Sequence, residues 1–192
     1  IMQQVSILCV ISFTMTLVMV EGDFDLSVGS MASLSGMIAA VLWQQDVSLF
    51  GALGAAVLVG AFGGVFNGVL VAYAGLSAFV ATLGTLTIFS GLALLVSDGK
   101  TIFGRAIPEI VGDFSRGGIT LAEGIQLPNL TLIAISVLIL MGIVLQHTVF
   151  GRNLHAVGGN REASLLAGVP VARLRLVAFA FNGVCLLYTS PS

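Results

Sequence analysis

The residues able to do chemistry fall in three places. The first is GGNREASLLAGVPVARLRL, Gly158 to Leu176, a segment between two long apolar runs that holds three of the chain's seven Lys and Arg residues and two adjacent leucines. Asn160 suits a helix N-cap, Glu162 falls in the first turn where negative charge complements the helix dipole, and Gly168 followed by Pro170 is a helix stop. The helix between them has only about two turns, far below the ~12 to 15 residues an isolated helix needs in water. Something else must hold it. Leu165 and Leu166 cannot both face a membrane, and Gly158 and Gly159 are expected to form a flexible approach that lets the turn project. Two readings stand: a helix lying on the bilayer with its arginines at the headgroups, or a knob that docks into a cleft on a cytosolic partner.

The second place is EGDFDLSVGS, where Glu21, Asp23 and Asp25 meet the start of an apolar run. Asp25 is placed to cap that run at the inner face, accepting the N–H of Ser27 or Val28. The alternative is a transport or ion role, which requires the acids to lie at depth in the membrane. The third is a set of hydroxyls and one amide, Asn67, Thr82, Thr85, Thr87 and Ser90. They fit a translocation path for a hydroxylated solute, or else hydrogen bonds to carbonyls one turn earlier and between helices. As a set they suit a sugar better than an ion, because no Asp, Glu, Lys or Arg is expected inside any span and a proton-coupled carrier would need one.

Other chemistries are excluded or unsupported. Cys9 and Cys185 lie in apolar runs without disulfide or zinc spacing and read as buried, inert thiols. His147 and His155 flank a membrane boundary with no ligand-spaced neighbours, so no metal is expected. No cofactor is expected either. The chain has no G-x-x-x-x-G-K-[ST] phosphate loop, so it is not an ATPase. With a net charge of -2 and no basic arm, nucleic acid is not a partner. No nucleophile and base are paired at depth as an intramembrane hydrolase would require.

The elements that must position these residues are membrane helices. The chain's 192 residues are 57% hydrophobic and only 8% charged, against about a quarter charged in soluble domains. Its apolar runs approach the ~20 residues a spanning helix needs, and the ten-residue alternation of a membrane barrel is absent. The expected architecture is all-α and polytopic, with six segments at Met2–Val20, Leu26–Trp43, Ser48–Tyr73, Leu76–Ser97, Asn129–Gln146 and from Leu176 to near Tyr188. Lipid is therefore a direct partner. Gly60, Gly64 and Gly68 recur every four residues in the third segment and form a helix-packing face. Gly29, Ser33 and Gly36 make a weaker one. The tetrapeptide FNGV occurs at Phe66–Val69 and Phe181–Val184, too short a match to count as a repeat.

Four motifs in order, GDFDLSVGS, FNGVLVAY, FVATLGTL and FGRNLHAVGGNREASLLAGVPV, strongly resemble the permease subunits of bacterial ribose-, xylose- and related monosaccharide ABC importers. The resemblance runs from about Thr14 to Gly183. Such permeases have about ten spans, which implies that this single transmembrane domain, residues 1–192, lacks the first span and the C-terminal half, with residues 186–192 expected to be non-native. Glu21, where the family more often carries a small or neutral residue, departs from the pattern. The resemblance implies that Gly151, Arg152, Gly158, Gly159, Asn160, Arg161, Glu162, Leu165, Leu166 and Gly168 belong to a loop that contacts an ABC ATPase subunit. It also implies a second permease copy, a periplasmic sugar-binding protein and a monosaccharide substrate, at the bacterial inner membrane. Two rivals are a secondary, ion-coupled carrier and a non-transporting membrane anchor.

Orientation follows from the basic residues, which cytoplasmic loops retain. Arg152, Arg161, Arg173 and Arg175 all lie between the fifth and sixth segments, making that loop cytoplasmic. Alternation places Asp98–Pro128 outside, although it carries Lys100, Arg105 and Arg116 beside Glu109, Asp113 and Glu123. A cysteine introduced at position 161 should accordingly resist an impermeant thiol reagent in intact spheroplasts and react after permeabilisation; labelling in the intact cells would reverse the orientation.

Overall fold

A computed structural model describes residues 2–100, 117–122 and 125–185. Among them are eight helices and one hairpin. They are α1 (Met2–Val20), α2 (Val28–Gln44), α3 (Leu49–Ala72), α4 (Ala78–Val96), β1 (Gly118–Ala122), β2 (Ile125–Pro128), α5 (Asn129–His147), α6 (Val149–Gly159), α7 (Arg161–Leu166) and α8 (Val171–Cys185). Local chemistry sets several boundaries. The Ser48 hydroxyl accepts the Gly51 N–H at 3.2 Å to start α3, and Thr148 accepts that of Gly151 at 3.1 Å to start α6. Asp98 and Gly99, both at positive φ, stop the chain beyond α4.

Among the described residues, only α3, α4 and α5 are both long and apolar enough to cross a membrane; Gln4–Val20 and Val28–Gln44 are apolar but shorter. At 17 residues α2 is about 25 Å long. It is short because residues 21–27, just before it, turn inward to make polar contacts. The expected sixth segment is corrected at its start: α8 begins at Val171, five residues before Leu176, and takes Arg173 and Arg175 into the helix. Pro170, whose carbonyl accepts the Leu174 N–H at 3.1 Å, is pre-set for a helix start. Residues 186–192 lie outside the described residues, as does most of the polar loop at 101–116.

The long loop before α5 also holds what the all-α expectation omitted. β1 and β2 pair antiparallel, with Ile119 opposite Leu127 and Thr120 opposite Gln126, and their β-branched residues favour an extended backbone.

The most extensive helix pairing is between α3 and α8, which run antiparallel. A Cβ on Gly60 would strike the Gly183 carbonyl, one on Gly64 the Phe179 carbonyl, and one on Gly68 the Leu176 side chain and backbone. Gly183 of α8 answers by lying against Gly60 and Gly64. The backbones meet because these side chains are missing, which is how helices associate where lipid removes the hydrophobic drive. Gly29 and Ser33 of the weaker stripe are exposed, and nothing lies near Gly29. Gly36 is half-buried, and the buried side of α2 is Val28, Met31, Leu34 and Ser35. One core joins Leu17, Val18, Val71, Leu154, Val157 and Phe179, and a second joins Val28, Met31, Leu34 and Phe89. Large apolar side chains such as Phe50, Leu58, Phe62 and Leu95 point outward, as a lipid solvent allows.

Gly64→Leu should force α3 and α8 apart, at a cost of at least the ~1 to 3 kcal/mol typical of overpacking. Gly84→Ala, where no atom lies within 4 Å of an added Cβ, should leave thermal stability in detergent unchanged. Equal melting temperatures for the two variants would refute the packing role.

Candidate functional site: a projecting two-turn helix and a buried acidic segment

The projecting segment is built from α6 and α7. Asn160 caps α7, its side-chain oxygen accepting the Ala163 N–H at 2.9 Å, and Gly168 at φ +80° ends it. Ser164 is buried and donates back to the Asn160 carbonyl at 2.9 Å. The outer side is bare: Leu165 is 56% and Leu166 91% exposed, with Arg152 and Glu162 also exposed. The expected flexible approach is corrected. Gly158 and Gly159 close α6 as helix, and Gly158 lies so near the Val20 carbonyl that any Cβ would collide with it. Gly151 sits equally close to the carbonyls of Val144 and Leu145 at the end of α5. These glycines seat α6 rigidly on α1 and α5.

Residues 21–27 are the second component. Glu21, Asp23, Asp25 and Ser27 are buried, while Gly22, Phe24 and Leu26 between them are exposed. The segment is a non-helical ribbon with turns at 21–22 and 26–27, its polar side facing the protein. Asp25 accepts the Ser27 N–H at 3.0 Å and the Ser27 hydroxyl at 2.7 Å on one oxygen, and the Asn182 amide at 3.1 Å on the other. Asn67 donates its amide to the Ser27 hydroxyl at 2.7 Å. Thr82 accepts the Leu26 N–H at 3.1 Å and donates to the Ala78 carbonyl at 2.7 Å. Asp25 thus ties the entry to α2 to both α3 and α8. Its contact on α8, Asn182, lies eleven residues past Val171, about 16 Å along the helix.

Asp23 carries the charges. One oxygen accepts from Arg175 Nε at 2.7 Å in a buried pair, and the other faces Arg161 at 3.4 Å in a half-exposed one. Arg175 also donates to the Val71 carbonyl at 3.0 Å. Arg175, expected in the loop before the sixth segment, is instead the fifth residue of α8 and is buried. A buried guanidinium is tolerable when its charge and N–H groups are matched in this way. Glu21 is 1% exposed and neither carboxylate oxygen has a partner among the described residues. Burial, reinforced by the Asp23 charge and opposed by Arg175 and Arg161, raises its pKa from 4.5 to about 8.

The polar set read as a path is only partly gathered. Asn67 and Thr82 join the acidic segment and Thr85 is buried about one turn further on, but Ser90 lies five residues beyond Thr85 along α4 and is half-buried. Thr82, Thr85 and Thr87 each donate to a carbonyl earlier in α4. The groove between α2, α3 and α4, about 660 Å³, is lined by apolar residues including Met31, Leu34, Phe62 and Phe89, and none of the set lines it. Cys9 and Cys185 are free but half-buried, not fully buried as expected. No metal-ligating cluster occurs among the described residues.

The sequence reading named Asp23 and the Ser27 N–H but not the Asp23 ion pairs or the Ser27 hydroxyl contacts, and it gave Arg175 and Asn182 no place in the site. Two signals were available: the alternation of polar residues at 21, 23, 25 and 27, and the FNGV pair. Both asparagines of that pair are fully buried and both turn their amides toward the acidic segment. The match set aside as coincidence places equivalent groups on the two most closely packed helices.

Apolar helices with outward-facing side chains, close glycine packing and a polar segment hidden among them define an integral membrane protein of polytopic helical type. Residues 1–185 match the family described as branched-chain amino acid transport system / permease component, and the chain belongs to that family. It is 35% identical over 164 residues to the L-arabinose transport system permease protein of Escherichia coli K12, covering 85% of this chain and 48% of that protein. It is 33% identical over 183 residues to the ribose import permease protein of Bacillus subtilis 168, covering 95% and 55%. The autoinducer 2 import system permease protein of Escherichia coli K12 / DH10B is 36% identical over 177 residues, covering 92% and 50%. The chain spans about half the length of these relatives. No solved structure matches it.

The Glu21 carboxyl offers a stability test. Its folded-state pKa of about 8 exceeds the ordinary 4.5, so the folded chain keeps a proton that the unfolded chain releases between those values. Its burial then costs stability progressively as pH rises through that window. Glu21→Gln should match the parent below about pH 4.5 and melt at higher temperature above about pH 8. A parent melting curve with the same pH dependence as the variant would show that Glu21 is not held protonated.

Proposed function

We propose that this chain is the permease part of an ATP-driven importer that carries a monosaccharide across the bacterial inner membrane. It is not itself catalytic. A separate ABC ATPase subunit hydrolyses ATP, a periplasmic binding protein delivers the sugar, and a second permease copy completes the pore. The observation that carries this reading is the bare Leu165–Leu166 face of a capped two-turn helix, held on α6 by the seated glycines. Two exposed leucines on a projecting turn are an apolar anchor for a protein groove, with the exposed Glu162 at its polar rim and Arg161 turned inward to Asp23. The arabinose and ribose named for two relatives support the solute class. α7 then lies in the cytoplasm.

An ion-coupled carrier has one observation in its favour, the buried Glu21, Asp23, Asp25 and Arg175. Against it, Asp23 and Asp25 are both engaged by fixed donors, and Glu21 adjoins the end of α1. Uptake that survives ATP depletion but collapses with the proton gradient would favour that carrier.

In the full-length permease, Leu166→Asp should place a charge in an apolar contact and weaken ATPase association by about 2 to 5 kcal/mol if the contact is fully buried. Asn160→Ala should cost about 1 kcal/mol through the lost cap. Pull-down of the ATPase, with sugar uptake in proteoliposomes of all subunits, measures both. Full association and uptake by Leu166→Asp would make α7 a membrane-surface helix.

A further inference from the structure

We infer that Asp23 is the positioning residue through which movement of α7 reaches the membrane core, by two ion pairs of unequal strength. This rests on the docking role proposed for α7. Arg161 is the first residue of α7, and its guanidinium meets Asp23 at 3.4 Å with 41% of its side chain exposed. The pair is long and partly hydrated, and is the weaker of the two. On its other oxygen Asp23 holds Arg175 at 2.7 Å with both side chains nearly buried. Arg175 in turn holds the last turn of α3 through the Val71 carbonyl. Breaking such a buried pair is far more costly than breaking the exposed one.

The consequence is a directional linkage. When α7 is displaced, the Arg161 contact yields or pulls first, while Asp23 stays fixed to α8 and α3. Two residues further along the same ribbon, Asp25 grips Ser27 and Asn182, and Ser27 holds Asn67. A shift of the 21–27 ribbon therefore acts at once on the start of α2 and on the facing asparagines of α3 and α8. Among the described residues, these two are the only ion pairs, and both are made to Asp23.

The test uses the full-length permease assembled with its ATPase and binding protein in proteoliposomes. Arg161→Gln removes only the outer pair, Arg161→Lys keeps its charge, Asp23→Asn removes both, and Leu166→Asp reports docking. The expected result is that Arg161→Gln binds the ATPase normally and hydrolyses ATP at the basal rate, yet imports at least threefold less sugar per ATP. Arg161→Lys should recover most of that ratio, and the double variant with Asp23→Asn should be no worse than Asp23→Asn alone. If Asp23→Asn does not fold, the Gln and Lys variants at 161 decide. Normal sugar per ATP in Arg161→Gln overturns the linkage while leaving docking intact; so does reduced ATPase binding by that variant, which would place Arg161 at the docking face instead. ATPase binding that survives Leu166→Asp overturns the docking reading, and the linkage with it.

Discussion

A carboxylate withdrawn from water has to be met by donors, and most of the arrangement around residues 21–27 follows from that requirement. Asp25 obtains two donors from Ser27 and one from Asn182, and Ser27 is itself held by Asn67. These donors sit on different helices, so they converge only if α3 and α8 approach closely. The glycines at 60, 64, 68 and 183 permit that approach. Polar satisfaction and close packing are two sides of one constraint here: larger residues at the interface would pull Asn67 and Asn182 away from Ser27 and Asp25, and loss of the acid would leave the Asn182 amide and both Ser27 donors without their acceptor.

The helical architecture and the glycine face of α3 were legible because both depend on local pattern: unbroken apolar runs, and small residues at a spacing of four. The cap at Asn160 and the stop at Gly168 were legible for the same reason. What escaped is non-local. Arg173 and Arg175 read as loop residues because charge ordinarily marks the end of a span, and nothing near them in sequence announces that Asp23 neutralises Arg175 from 152 positions away. The hairpin before α5 was hidden inside a segment whose glycines and charges suggest a loop.

Within the candidate site, residue types were easier to identify than their partners. Asn67 and Thr82 were singled out for their polarity, but their place beside Asp25 depends on tertiary approach. Gly158 and Gly159 were read as flexible because glycine permits many conformations; the backbone of α1 lies where a side chain on Gly158 would be, so there the glycine serves proximity instead. Glu21 was read only as one acid of a boundary cluster; its burial favours the neutral, protonated acid up to about pH 8.

The long reach of the Asp25 contact bears on biogenesis. Asp25 is synthesised 157 residues before Asn182, and Asp23 152 residues before Arg175. Until α8 emerges, the acidic edge of the ribbon has none of its α8 donors, and hydrocarbon offers no substitute. The junction of α1 and α2 can therefore gain its full set of contacts only after α8 has been made, so the last of the described helices completes the polar packing of the first two.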